Sequence, residues 1–328
     1  MRPDLREAFL QAIDDVVSIS QIEMIEAAIA SGDVQRVMQV LHLGPEFFAP
    51  LDDAIRRAFL QGGAYQLSML PKRHPATGGR LIVRFQGRHQ RAEAWITRTS
   101  SRLITEITLD QQELIRAAIQ AGLEAGNNPR KTALELVGRI NKISGRREGG
   151  IIGLTSQEAG YVRNLRGALA DPTTANDYFH RKVRDRLYDP MVRRSIKTGK
   201  PLSQAQINRI TGRYSDRLLK ARGDRIALSE TNEALNAGRS EGIAQLIERE
   251  EVPAQAVTSK WDATGDKRTR PDHMEMDGQE VPFGQPFRAP DGDLMMFPGD
   301  TSLGAKGKHT ISCRCYAQQK INWLAMAV

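Results

Sequence analysis

Four side chains toward the C-terminal end of this 328-residue chain are of the types that soft metal ions select: His273, His309, Cys313 and Cys315. Thiolate and imidazole hold Zn²⁺ in a tetrahedral shell, so a structural zinc is the cofactor these residues could hold. The Cys-x-Cys spacing is tighter than the usual structural Cys-x-x-Cys. The competing and favoured reading is a packed core, with Cys313 inside and His273 hydrogen-bonded near an Asp277-Gly278 turn. These are the only two cysteines. A disulfide across one residue is strained and closes almost no loop, which excludes a disulfide framework. His273 with Asp277, His309 and the thiols could also be drawn as a metal-dependent hydrolase or a Cys-His nucleophile. The chain has neither His-Glu-x-x-His nor a Walker loop, and nothing places a base beside either thiol. The sequence therefore reads as a non-enzyme, with no catalytic residue assigned.

The second set of candidates is electrostatic. The formal charge is +8, yet the span from Arg181 to Arg222 alone holds thirteen Lys and Arg against Asp185, Asp189 and Asp216, a local +10, so the remainder is slightly acidic. Lys and Arg on packed helices neutralise phosphates without reading bases. Arg181, Lys182, Arg184, Arg186 and Arg193 are candidate contacts to phosphate or to an acidic partner, as are Arg194, Lys197, Lys200, Arg209 and Arg213. The plain alternative is a solvated helix face.

The elements that must position these groups are mostly helical. The chain divides into residues 1–90, an N-terminal helical region with one short strand; residues 91–250, a helical body containing the basic segment 181–222; and residues 251–328, a module of short strands and loops. The expected class is α+β. Apolar residues at three- and four-residue spacing predict helices over Arg6 to Ser18 and Gln21 to Ala30. Leu81, Val83 and Phe85 alternate with Ile82 and Arg84, which predicts a strand. Arg91 to Ile107 reads as a helix, and Asp110 with Glu113 as a capping box opening the next, which Gly126 ends. Asn128-Pro129, Thr155 with Glu158, and Ser203 with Gln206 are further helix starts. Arg146 to Gly150 reads as a mobile loop and Asp171-Pro172 as a break. The helix from Ser203 is expected to reach about Glu250 with an interruption near Gly223. Past Pro253, Gly, Pro and Asp become frequent and helical periodicity disappears. No apolar run approaches the roughly 20 residues that cross a bilayer, so no membrane partner is expected. The N-terminus carries acids and lacks a secretory h-region, which points to synthesis in the cytoplasm.

One resemblance draws these pieces together. Trp261-Asp262, Arg268-Thr269-Arg270, Asp272-His273, Asp277-Gly278, Pro298-Gly299-Asp300 and Cys313-Arg314-Cys315 agree in content and order with the phage Mu F-like minor head, or head morphogenesis, proteins. The upstream Arg225-Ile226-Ala227-Leu228-Ser229-Glu230-Thr231-Asn232 resembles the family's Ile-Ala-Arg-Thr-Glu helix, with Leu228 and Ser229 where Arg and Thr are common. The likeness extends diffusely back to about residue 90. In this reading Trp261, Asp262, Arg268, Arg270, Asp277, Gly278 and Arg314 are structural: Trp261 anchors a core, Asp277-Gly278 makes a tight turn, and the arginines pair with Asp262, Asp266, Asp272 or Asp277. Relatives carry Cys-x-x-Cys where this chain has Arg270 and His273, so one ligand of that pair is retained and His309 becomes the candidate fourth.

The resemblance implies a structural minor head protein of a tailed phage, acting in procapsid assembly at or near the portal vertex and contacting packaged DNA, with an influence on ejection. Its expected partners are the portal protein, the inner capsid or scaffold, and double-stranded DNA, and its expected location is the virion. The rival from another class is a metal-dependent DNA-acting enzyme or toxin-like transferase. A third reading is a DNA-binding accessory protein outside the virion.

Overall fold

Helix-forming spacing and cap chemistry set most of the architecture seen in the computed structural model, which describes every residue except Met1, Ser20, Ala76, Ile82, Ile143, Ala327 and Val328. The fold is α+β, with a helical body and short strands near the C-terminus. The helices in chain order are α1 (Arg2–Ser18), α2 (Ile22–Ala30), α3 (Val34–Val40), α4 (Ala49–Ser68), α5 (Gln90–Glu124) and α6 (Pro129–Val137). They continue with α7 (Ser156–Ala170), α8 (Asp189–Thr198), α9 (Gln204–Glu248), α10 (Pro271–Glu275) and α11 (Gly307–Thr310). The strands are β1 (Arg139–Ile140), β2 (Arg147–Glu148), β3 (Val257–Asp262), β4 (Glu280–Pro282), β5 (Phe287–Arg288), β6 (Leu294–Met295) and β7 (Tyr316–Ile321).

Residues cluster into two units: Glu7–Pro50 with Arg102–Gly223, and Met1–Arg6 with Leu51–Ser101 and Asp224–Val328. This grouping follows packing, whereas the sequence segments 1–90, 91–250 and 251–328 follow the chain.

In the first unit the expected helix starts are made by side chains. Asn128 Oδ1 accepts from Lys131 N–H at 2.8 Å with Pro129 opening α6. Thr155 and Glu158 form a reciprocal capping box at α7. Ser203 and Gln206 do the same ahead of α9, at 2.8 and 3.3 Å. Each such cap contributes on the order of 1 kcal/mol. Three expectations fail here. Asp110 does not open a helix, because α5 runs unbroken through it: nothing from Ile107 to Gln111 obstructs the ladder, and the Asp110 carboxylate instead pairs with Arg222 at 2.6 Å. Gly223 does not interrupt α9, and a Cβ there would meet the Phe9 and Leu10 side chains only at an ordinary contact distance of 3.4 Å. The 146–150 segment is not a loose loop either. Arg147 and Glu148 pair antiparallel with Ile140 and Arg139, Gly149 N–H donates to Asp216 at 2.9 Å, and Gly150 C=O accepts from Ser215. The following residues are held by Gln111, whose fully buried amide spans Leu154 C=O and Gly153 N–H at 2.8 Å each.

In the second unit α4 crosses the later part of α9 at glycines. An added Cβ on Gly62 would lie 2.3 Å from Leu235 C=O, and one on Gly238 2.0 Å from Phe59 C=O. Leu67, Ile243, Leu246, Val252, Ala256 and Val257 form a core against which Val83, Phe85 and Phe283 pack. The predicted strand at 81–85 is absent: Ile82 lies outside the described residues, and the described residues around it are assigned to no strand. Their bonds go elsewhere: Leu81 N–H donates to Lys72 C=O, Arg84 C=O accepts from Arg249, and the adjacent Gln86 exchanges two bonds with the Gln245 amide.

The terminal module carries a three-stranded antiparallel sheet, β4–β3–β7, and a β5–β6 pair. Along β3, Val257, Ser259 and Trp261 alternate inward, and the register sets Trp261 opposite Ala317. The small alanine leaves space for the indole, which is fully buried.

Candidate metal centre and basic surface

The end of β3 and the start of β7 bring the sequence candidates together. After Trp261 the chain turns through 263–270. Arg270 then caps α10 and Pro271 fixes its first turn, so His273 faces inward and is only 2% exposed. The Asp277-Gly278 turn forms as expected: Gly278 has φ +82°, its N–H donates to Trp261 C=O at 2.9 Å, and Asp277 accepts from Ala263 N–H at 2.8 Å. From the other side, α11 ends in a turn with Ser312 at φ +57°, after which Cys313 and Cys315 arrive before β7 begins. They lie in the segment that leads into the strand. Both sulfurs point to one place.

That place is the His273 ring. Its Nδ1 lies 3.4 Å from Cys315 Sγ and 3.8 Å from Cys313 Sγ. The three ligand atoms all lie within 4.8 Å of one another, and all three residues are buried. Cys315 is held below the usual thiol range, first by the Cys313 S–H and also by His273 and the Thr264 backbone N–H. Cys313 is pushed up by the same sharing and by burial, while the Cys315 backbone N–H works the other way. His273 makes no bond to the Asp277-Gly278 turn, and its Nε2 is buried with no partner among the described residues.

His309, the candidate fourth ligand, belongs to a neighbouring cluster. Its fully buried ring stacks on His273 at 5.6 Å, and its Nε2 faces Asp291 at 3.0 Å. Asp293 completes that group. Lys306 reaches both aspartates, at 3.1 and 3.0 Å, and Lys308 reaches Asp291 and Asp272 at 3.0 and 3.2 Å. Two ammonium groups therefore already balance the carboxylates, and hydrogen bonds from them hold Asp291 below its ordinary range. Of the arginine pairs anticipated from sequence, Arg314 makes a bidentate bridge to Asp266, both contacts 2.6 Å. Arg270 donates to Ile311 C=O, Asp262 accepts from the Tyr316 hydroxyl, and Arg268 is exposed.

Helix α9 holds the Cys-Arg-Cys turn from behind. Asn232 and Asn236, one helical turn apart, donate to Cys315 C=O at 3.1 and 3.2 Å. Asn236 also donates to Pro298 C=O and accepts from Ala317 N–H, while Ser229 Oγ accepts from Ser312 N–H at 2.7 Å. Cys315 C=O and Ser312 N–H are thus satisfied by side chains of one helix, while Arg314 C=O accepts from the Thr264 hydroxyl.

In the other unit the basic segment separates into two classes. Arg181 pairs with Asp177, and Arg184 grips Asp189 with two bonds of 3.1 Å, so both are half-buried structural groups. Arg213 shares Asp185 with Arg217, at 3.5 and 3.6 Å. Arg193 is exposed and lies over the Phe179 ring at 4.9 Å. Lys182, Arg186, Arg194, Lys197, Lys200 and Arg209 are exposed, with no acid in ion-pair reach among the described residues. Arg209, Arg213, Arg217 and Lys220 recur at helical spacing along one exposed stripe of α9.

Residues 189–318 match the family model described as Phage Mu protein F like protein. This segment is similar to that family. No curated protein and no solved structure matches the chain significantly.

The matched segment begins at α8 and ends within β7, so it takes in the exposed cations of α8 and α9, the two asparagines, the two histidines and both thiols. The diffuse likeness read back to residue 90 falls outside the match for residues 90–188. The family points to a structural role in phage head morphogenesis. Sequence reasoning missed Asn232 and Asn236 as supports, and Asp291 and Asp293 as partners of His309. The i, i+4 asparagines inside the family-like helix were a signal for the first pair. The Asp291–Asp293 partnership crosses from the β5–β6 turn to α11 and left no local signal.

Proposed function

We propose that the protein is a structural minor head protein of a tailed bacteriophage, incorporated into the procapsid at or near the portal vertex. Its family-matched segment serves as a rigid docking unit on the portal or inner capsid. The cations of α8 and α9 lie against packaged double-stranded DNA and influence its exit. The observation that carries this reading is the coincidence, inside one family-matched segment, of a densely braced polar turn and the exposed cations Arg194, Lys197, Lys200 and Arg209, which have no acid in ion-pair reach among the described residues. Phosphate neutralisation by such cations is independent of base sequence, as a surface facing packaged DNA requires.

Mass spectrometry of purified mature particles tests the location, and pull-down by the cognate portal from assembling particles tests the docking. The expected result is a fixed, low copy number in the particle together with portal association. Absence from particles, or sequence-independent DNA cleavage by the purified chain, would overturn the structural reading.

A further inference from the structure

We propose that His273, Cys313 and Cys315 form a Zn²⁺ site with three protein ligands and a fourth position filled by water, a staple that ties α10 to the turn before β7.

The distances fit a shared apex. With Zn–S near 2.3 Å and Zn–N near 2.05 Å, a tetrahedral centre sets its N···S edges at about 3.6 Å. The observed edges from His273 Nδ1 are 3.4 and 3.8 Å. An S–H donor does not account for both, because Nδ1 has a single lone pair and one thiol would use it. A cation at the apex takes that lone pair and a lone pair from each sulfur at once.

Burial supplies a second argument. His273, Cys313 and Cys315 are all buried, and their ligand atoms lie within 4.8 Å of one another. A dication bound by two thiolates and a neutral imidazole leaves no net charge in that buried site.

The arrangement also discriminates among metals. Two sulfurs and one nitrogen suit Zn²⁺ and disfavour Mg²⁺ and Ca²⁺, which take oxygen ligands. The neighbouring His309–Asp291–Asp293 group has an oxygen-rich set, but Lys306 and Lys308 occupy its carboxylates. On binding, two Zn–S bonds and one Zn–N bond form, the protons still held by the thiols leave to solvent, and no oxidation state changes. Coordination by Nδ1 places the His273 proton on Nε2.

The test uses the full chain, purified under reducing conditions without chelator. Elemental analysis is expected to give one zinc per chain, and replacement by Co²⁺ to give the thiolate-to-cobalt charge-transfer and ligand-field absorption of a tetrahedral site. Cys315→Ser and His273→Gln should each lose the metal, whereas His309→Gln should keep it. Because substitution in a buried cluster can itself unfold the chain, the wild-type protein is also titrated with a chelator, which is expected to lower its thermal midpoint, and Zn²⁺ addition to restore it. Failure of reduced, folded protein to take up Zn²⁺ or Co²⁺ would overturn the proposal. So would zinc retained in His273→Gln, or zinc lost from His309→Gln.

Discussion

At the scale of single residues, side chains that look alike in sequence differ by what surrounds them. Asp110, Asp185 and Asp216 are three acids among many cations. Asp110 meets Arg222 and Asp185 meets two arginines, but Asp216 is spent on a backbone N–H. Burial raises the Asp216 carboxyl above its ordinary value, more than the Gly149 N–H and the nearby Arg213 and Lys220 lower it. A folded-state value above the unfolded one means that the native chain holds the proton longer, so stability falls as pH rises through that window. Asp216→Asn keeps an oxygen for Gly149 N–H and removes the desolvated charge. It should raise the urea midpoint at neutral pH, with the gain shrinking as pH drops and wild-type Asp216 protonates; a loss of stability at pH 7 would refute the argument. The metal candidates teach the same lesson. The types of His273, Cys313 and Cys315 were legible in the sequence, but their convergence was not. It depends on the left-handed Ser312 and on two asparagines some eighty positions upstream. His309 has the right chemistry too, and only the fold assigns it to aspartates.

At the scale of elements, local cap chemistry was readable wherever the cap is made by neighbours in sequence. Thr155 with Glu158, Ser203 with Gln206, and Asn128-Pro129 all start helices as their spacing implies. The same spacing at Asp110 and Glu113 misled, because a capping pair inside a long amphipathic run costs a helix little. The strand expected at 81–85 was lost for a related reason: alternation measures which side chains go inward, and there the backbone bonds to Lys72, to Arg249 and, at the adjacent Gln86, to Gln245 rather than to a strand. Close helix contacts leave a sharper mark than alternation does. Gly238 on α9 sits where a Cβ would come within 2.0 Å of Phe59 C=O, and the obstacle is backbone. Gly238→Ala gains up to about 1 kcal/mol of helix propensity. It must also push α4 away, an overpacking cost of typically 1–3 kcal/mol and occasionally more. With backbone on both sides the larger cost wins, and a net loss of about 2 kcal/mol is expected by chemical denaturation. Gly167→Ala on α7, which meets nothing within 4 Å, should move the other way by up to about 1 kcal/mol. Equal effects at the two sites would show that propensity, not helix contact, governs both.

At the scale of the whole molecule, the uneven charge is the property most open to measurement. The chain carries +8, and the span 181–222 accounts for more than all of it. Composition located that excess without help, but it could not say which cations are available. Arg181 and Arg184 are tied into the fold, and Arg213 is half neutralised by Asp185, which leaves Lys182, Arg186, Arg194, Lys197, Lys200 and Arg209 exposed beyond ion-pair reach of any described acid. If the proposed contact with packaged DNA is right, affinity of the full chain for duplex DNA falls steeply with salt and is indifferent to sequence. Each phosphate contact contributes about −0.9 to the slope of log affinity against log salt. Replacing Arg194, Lys197, Lys200 and Arg209 by Gln should therefore flatten the slope by up to about 3.6 units, the full value requiring all four to touch phosphate. Replacing Arg181 and Arg184 instead should disturb folding, because Asp177 and Asp189 would lose their partners, and should leave the slope of whatever folds nearly unchanged. A flattened slope in the first variant alone would place the contact on the exposed cations. An unchanged slope there would remove DNA from the list of partners for this face and leave an acidic protein surface as its occupant.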